Sequence, residues 1–139
     1  MKDVSILKPV LAQVLLTFVI LFWMAKERLG AMRAGKVTGG TAGARPVWPE
    51  RAAIVSNAFH NQFEMPVLFY AAAAFALAAD MADTKMIGLA WAYVALRWVH
   101  ATIHTTYNYI PHRFLAYLAS NVVLIAMWVN LALGVFIGR

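Results

Sequence analysis

Residues 6–25 read ILKPVLAQVLLTFVILFWMA, and this stretch decides the fold. Lys8 is its single charged residue. At a rise of about 1.5 Å per residue, about 20 residues in a helix cover the ~30 Å hydrocarbon core of a bilayer. An isolated segment in lipid satisfies its backbone polar groups only as a helix. The run meets Lys26-Glu27-Arg28 rather than a small-residue cleavage site, so it reads as a span and not as a cleaved leader. Its helix is expected to continue as an amphipathic extension through Lys26–Ala34.

Three further apolar runs follow, at about 52–79, 86–107 and 114–137. Of the 139 residues, 63% are hydrophobic and 13% charged, with mean hydropathy +0.67; this composition belongs to one membrane domain covering 1–139. Helix is expected even through Ala71–Ala74, because lipid leaves no alternative. The link 37–50 holds Gly39, Gly40, Gly43, Pro46 and Pro49 and reads as a loop. Asp80–Lys85 reads as a tight turn, and Pro111 is expected to stop the third helix. The absence of cysteine excludes disulfides, a thiolate nucleophile and cysteine metal sites.

The net charge of +6 is concentrated. Lys26, Arg28, Arg33, Lys36, Arg45 and Arg51 lie between the first two runs, and Arg113 marks the other turn on that side. Lys2, Lys8, Lys85 and Arg139 lie opposite. Positive charge favours the cytoplasmic side, so the long loop is expected in the cytoplasm and both termini outside. Topology accounts for the basic loop. It has no aromatic-interleaved patch beyond Trp48, and no nucleic acid is expected. Trp23, Trp48, Trp91, Trp98 and Trp128 read as interface-belt or lipid-facing residues.

Two polar clusters interrupt the apolar runs. The first is Asn57, His60, Asn61 and Glu64; the second is Arg97, His100, His104, Tyr107 and Asn108. An ionisable side chain at the bilayer centre costs at least ~2.5–3.5 kcal/mol and usually faces a bundle interior. Helical spacing puts each cluster on one face, in the cytoplasmic half of its helix. Three readings fit. One is a packing network, with Glu64 paired to Arg97, the acid and base deepest in the spans. Another is a metal site from the i, i+4 pairs His60/Glu64 and His100/His104, opposed by the charge of Arg97. The third is an anionic-ligand pocket opening to the cytoplasm, where Arg97, Arg113, His100, His112 and the Asn amides donate. At its mouth Arg113 would stabilise a thiolate or oxyanion.

The segments NQFEMPVLFY (61–70), RWVH (97–100) and YNYIPHR (107–113) resemble the MAPEG family (membrane-associated proteins in eicosanoid and glutathione metabolism), most of all its small bacterial branch. The resemblance implies an all-α bundle of four transmembrane helices, assembled as a homotrimer in a bacterial inner membrane. It implies glutathione as co-substrate, bound between subunits near the cytoplasmic face. Asn61 and Glu64 match the family's glutathione-contacting pair, and Arg97 and His100 its third-helix motif. Arg51 matches the arginine opening the second-helix motif. His104 and Tyr107 extend the third-helix stripe and are grouped with the glutathione-binding residues. Arg113 falls where the eicosanoid-type enzymes place the arginine that activates the thiol, and so becomes the expected catalytic residue.

The pattern also departs from the family. Asn57 and His60 stand where its enzymes usually carry arginines, and His104 stands where several have tyrosine. The implied activity is a glutathione-dependent transferase or peroxidase acting on a lipophilic electrophile. The competing reading is a non-catalytic structural or accessory subunit, alone or in a larger membrane complex, that keeps the bundle and its polar network.

Overall fold

A computed structural model describes residues 4–138, so Lys2 and Arg139 lie outside the described residues. The order is α1 (Leu7–Arg33), α2 (Glu50–His60), a short 3-10 turn (Asn61–Phe63), α3 (Met65–Ala78), α4 (Thr84–Thr105) and α5 (Ile110–Ile137). Outside the helices, the described residues form a single antiparallel bridge, between Thr38 and Val47. That bridge closes the long loop, and Gly39, Gly40 and Gly43 take the positive φ angles the reversal requires.

Helix α1 runs unbroken through the first apolar run and its polar extension, to Arg33. It ends in two capping bonds, Gly35 N–H to Met32 O and Lys36 N–H to Ala31 O, both 3.0 Å. α3 ends the same way with Asp80 in the left-handed role (φ 59°), as Met81 N–H reaches Ala76 O at 2.7 Å. Asp83 then starts α4 by accepting from Met86 N–H at 2.8 Å.

The second apolar run differs from the continuous helix its sequence suggests. It breaks at Glu64 (φ −92°, ψ −106°), between the 3-10 turn and α3. Pro66 is the cause: it has no N–H to give, and in a continuous helix its ring would strike the carbonyl of Gln62. Pro66 is tolerated in the first turn of α3, so the helix restarts there. Three helices, α1, α4 and α5, are individually long and apolar enough to cross a membrane. α2 and α3, of 11 and 14 residues, share the remaining apolar run.

The main core lies where α3, α4 and α5 meet. Phe69 stacks on Tyr93 with ring centroids 4.6 Å apart, beside Met86, Leu124 and Met127. Ala72, Ala73 and Ala76 are buried, so α3 approaches its neighbours closely. A second cluster, Leu16, Ile20, Val55, Ala58 and Ala101, joins α1 to α2 and α4. The outer faces of α1 and α5 expose Leu11, Leu15, Phe22, Leu118, Val122 and Ile125. Apolar surface of that extent belongs against lipid or another protein.

Candidate functional site

The end of the bundle that carries the long loop holds most of the polar side chains. Between α4 and α5, Asn108 takes a left-handed conformation (φ 47°), and its N–H reaches Ile103 O at 2.8 Å. Asn is among the few residues that accept this conformation readily. Here the structure corrects the expected role of Pro111: α4 has already ended at Thr105, and Pro111 sits in the first turn of α5. Arg113 follows within that turn and donates from Nη1 to Asn108 Oδ1 at 2.8 Å.

Asn61, Glu64, His100, His104 and Arg113 line one cleft of about 240 Å³, together with Ile110, Phe114 and Tyr117. The break at Glu64 supplies one wall, the last turns of α4 another and the first turns of α5 the third. The His100 and His104 rings meet edge to face at 5.7 Å, and Tyr117 lies 5.8 Å from His100. Nδ1 of both histidines is buried without a hydrogen-bond partner among the described residues.

The expected Glu64–Arg97 ion pair does not form. Arg97 is 0% exposed and donates from Nη2 to Asn61, to Oδ1 at 3.0 Å and to the backbone oxygen at 3.2 Å. Glu64, at the chain break, is exposed instead. Of the first cluster, Asn61 and Glu64 line the cleft, whereas Asn57 and His60 are exposed on α2 and do not. Arg97 therefore stands behind the cleft and holds Asn61, a residue of its wall.

Two more expected site residues lie outside the cleft. Arg51 donates from Nη1 to Thr105 O, sits 5.0 Å over the Trp23 ring and lies 4.0 Å from Glu27. It ties α2 to the end of α4. Tyr107 is exposed, its hydroxyl 3.2 Å from His112 Nδ1. Trp23 and Trp48 also do more than meet lipid, since they receive the guanidinium groups of Arg51 and Arg28. Arg28 also hydrogen-bonds Ser56 Oγ.

Tyr117 escaped the sequence reading, although it lies one helical turn beyond Arg113, on the same face of α5. Gln13 and Gln62 escaped it too. They form a buried amide bond, Gln13 Nε2 to Gln62 Oε1 at 3.0 Å, between α1 and the 3-10 turn. Gln13 is the sole amide in its apolar run, a signal available in the sequence, whereas Gln62 is masked by its neighbour Asn61.

An all-helical membrane domain with a polar cleft at one end is the class that fold and site define. Residues 6–133, essentially the whole chain, match the MAPEG family, and the chain belongs to it. No curated protein and no solved structure shows a significant match to the chain.

Proposed function

We propose that this protein is a thiol-dependent transferase or peroxidase of the glutathione type, which conjugates or reduces a lipophilic electrophile at the cleft lined by Arg113. The observation that carries this reading is the convergence of Arg113, Asn61, Glu64, His100 and His104 on one cleft, at the end of an apolar bundle. Arg113 supplies a fixed positive charge, anchored by Asn108, against which a thiol can lose its proton to water. Cysteine-type thiols ionise at pH ~8.5 when free, and a neighbouring arginine lowers that value. The electrophile approaches from the bilayer, past Phe114 and Ile110 on the lip.

The cleft of about 240 Å³ is smaller than the ~300–1,000 Å³ typical of ligand pockets. Asn57 and His60, polar and exposed, lie on α2 just before Asn61 of the cleft wall. Both features support a site completed by a second copy of the chain, in a homotrimer. In that assembly α2 and α3 together make the fourth crossing, and the basic loop faces the cytoplasm of a bacterial inner membrane. Glutathione suits the wall in part: Arg113 matches its thiolate and Glu64 its ammonium.

The purified protein in detergent, titrated with glutathione, is expected to develop ultraviolet thiolate absorbance, and Arg113→Ala to abolish it. Absence of the signal at saturating glutathione, or its persistence in Arg113→Ala, rejects the reading.

A second reading is a non-catalytic structural or accessory subunit. The complete burial of Arg97 behind Asn61, and of Gln13 against Gln62, favours it, because each pair ties separate segments of the chain together and neither Arg97, Gln13 nor Gln62 lines the cleft. Binding of no thiol by a stably folded protein would select this reading.

A further inference from the structure

The exposed stripe of α1 does not stop where its apolar run stops. Leu11, Leu15, Phe18 and Phe22 recur every three or four residues and are exposed, so they share one face. The opposite face, with Gln13, Leu16, Ile20 and Met24, is buried against the rest of the chain. Carried on at the same spacing, the exposed face continues through Lys26, Leu29 and Arg33, all three exposed. Because α1 is unbroken to Arg33, the spacing fixes one face over its whole length.

Residues 7–25 of α1 cover about 27 Å, close to the ~30 Å of a hydrocarbon core. Lys26 therefore meets the boundary of that core, and Arg33 lies about 10 Å beyond it, at the outer edge of the headgroup layer. Side chains lean toward the N-terminus of a helix, so Arg33 leans back toward the membrane, while the Lys26 ammonium snorkels outward. The two charges close on the headgroup layer from either side, with Leu29 between them. Neither side chain has a hydrogen bond or ion pair among the described residues. Glu27, the acid of the same turn, faces the other way: it accepts from Trp23 Nε1 at 3.1 Å and lies 4.0 Å from Arg51. The stripe thus carries two free cations at headgroup depth and no carboxylate.

We propose that the exposed face of α1 is a binding site for an anionic phospholipid, whose phosphate is held between Lys26 and Arg33 and whose acyl chains lie along Phe22 and Phe18. Charge complementarity selects the headgroup: the stripe offers nothing to pair the ammonium of a zwitterionic lipid, whereas an anionic headgroup needs only the two cations. Continuity selects the membrane as the source, because the same face is apolar for the full depth below Lys26. Basic residues immediately outside a span attract anionic lipid in this way. The site is independent of the thiol chemistry proposed for the cleft.

The test uses the full chain in a non-ionic detergent, equilibrated with equal amounts of phosphatidylglycerol and phosphatidylcholine of identical acyl chains. Native mass spectrometry counts each lipid retained. Phosphatidylglycerol is expected to be retained about tenfold or more over phosphatidylcholine at low salt, about fivefold for each cation, and the preference to shrink at high salt. Lys26→Gln with Arg33→Gln is expected to bring the two lipids near parity. Lys36→Gln with Arg45→Gln, which neutralises two exposed cations beyond the end of α1, is expected to keep most of the preference. If this second pair removes as much preference as the first, the attraction belongs to the charge of the whole loop and the site on α1 is refuted. Equal retention of the two lipids by the unmodified chain also overturns the inference, as would follow were a second copy to cover this face. That comparison decides the matter even if the Lys26/Arg33 variant fails to fold.

Discussion

Arg97 Nη2 lies 3.0 Å from Asn61 Oδ1 and 3.2 Å from Asn61 O, so one buried guanidinium nitrogen clamps both the side chain and the backbone of the residue that opens the 3-10 turn. Arg97 Nε and Nη1 have no hydrogen-bond partner among the described residues. Asn61 is thus the principal compensation for a charge that is 0% exposed. Removing one partner of a buried polar pair costs more than removing both. Asn61→Leu is expected to destabilise the fold by about 2 kcal/mol, and Asn61→Leu with Arg97→Met to recover most of that. Unfolding of the four members of this double-mutant cycle in detergent measures the coupling, and additive losses would contradict it.

Gln13 and Gln62 make a comparable but neutral bond across α1 and the 3-10 turn. Gln62 also donates to Ala58 O at 3.1 Å, so its side chain is held from two sides. Gln13→Leu strips Gln62 Oε1 of its donor and is expected to cost about 1 kcal/mol, the usual size for a polar contact between membrane helices. Gln62→Leu gives up both bonds and is expected to cost more. Thermal unfolding of the two variants side by side checks the order, and a more stable Gln62→Leu would refute it.

The helices were legible because lipid removes alternatives to them, and the apolar runs mark their extent. The helical extension to Arg33, the loop at 37–50 and the turn at Asp80–Lys85 followed from charge and from glycine and proline content. The break at Glu64 was signalled by Pro66, but the apolar run around it masked the signal. The facing stripes meet in part, Asn61 and Glu64 with His100 and His104, while Asn57 and His60 stay out of the cleft; spacing in sequence fixes a common face only while the helix continues. Five of the expected site residues still meet in one cleft, because the ends of α4 and α5 and the 3-10 turn converge at one end of the bundle. The partner of Arg97 was not legible: choosing between Asn61 and Glu64 depends on a backbone angle that no spacing encodes.

Asp83 tests the turn at the opposite end of the bundle. Its carboxylate accepts the Met86 N–H at 2.8 Å, satisfying one of the free donors at the start of α4. Asp83→Ala is expected to cost about 1 kcal/mol, and Asp83→Asn, which keeps a capping oxygen, a few tenths. Chemical unfolding in detergent separates the two, and equal losses would mean that charge rather than capping matters there.

Asn108 connects the turn to the chemistry. Its left-handed backbone forms the α4–α5 turn, and its side-chain oxygen anchors Arg113 at 2.8 Å. The two roles separate by substitution. Asn108→Gly keeps the backbone conformation at little cost and removes the anchor. Asn108→Ala removes the anchor and also puts into the left-handed region a residue without the short polar side chain that lets Asn tolerate it, at a cost of about 1 kcal/mol. Both variants are expected to lower thiolate formation at a given thiol concentration, since an unanchored guanidinium spends less time at the sulfur. Asn108→Ala alone is expected to lower the unfolding temperature. Thiolate titrations read beside thermal melts distinguish the effects. If Asn108→Gly titrates like the unmodified protein, Arg113 needs no anchor and finds the sulfur unaided.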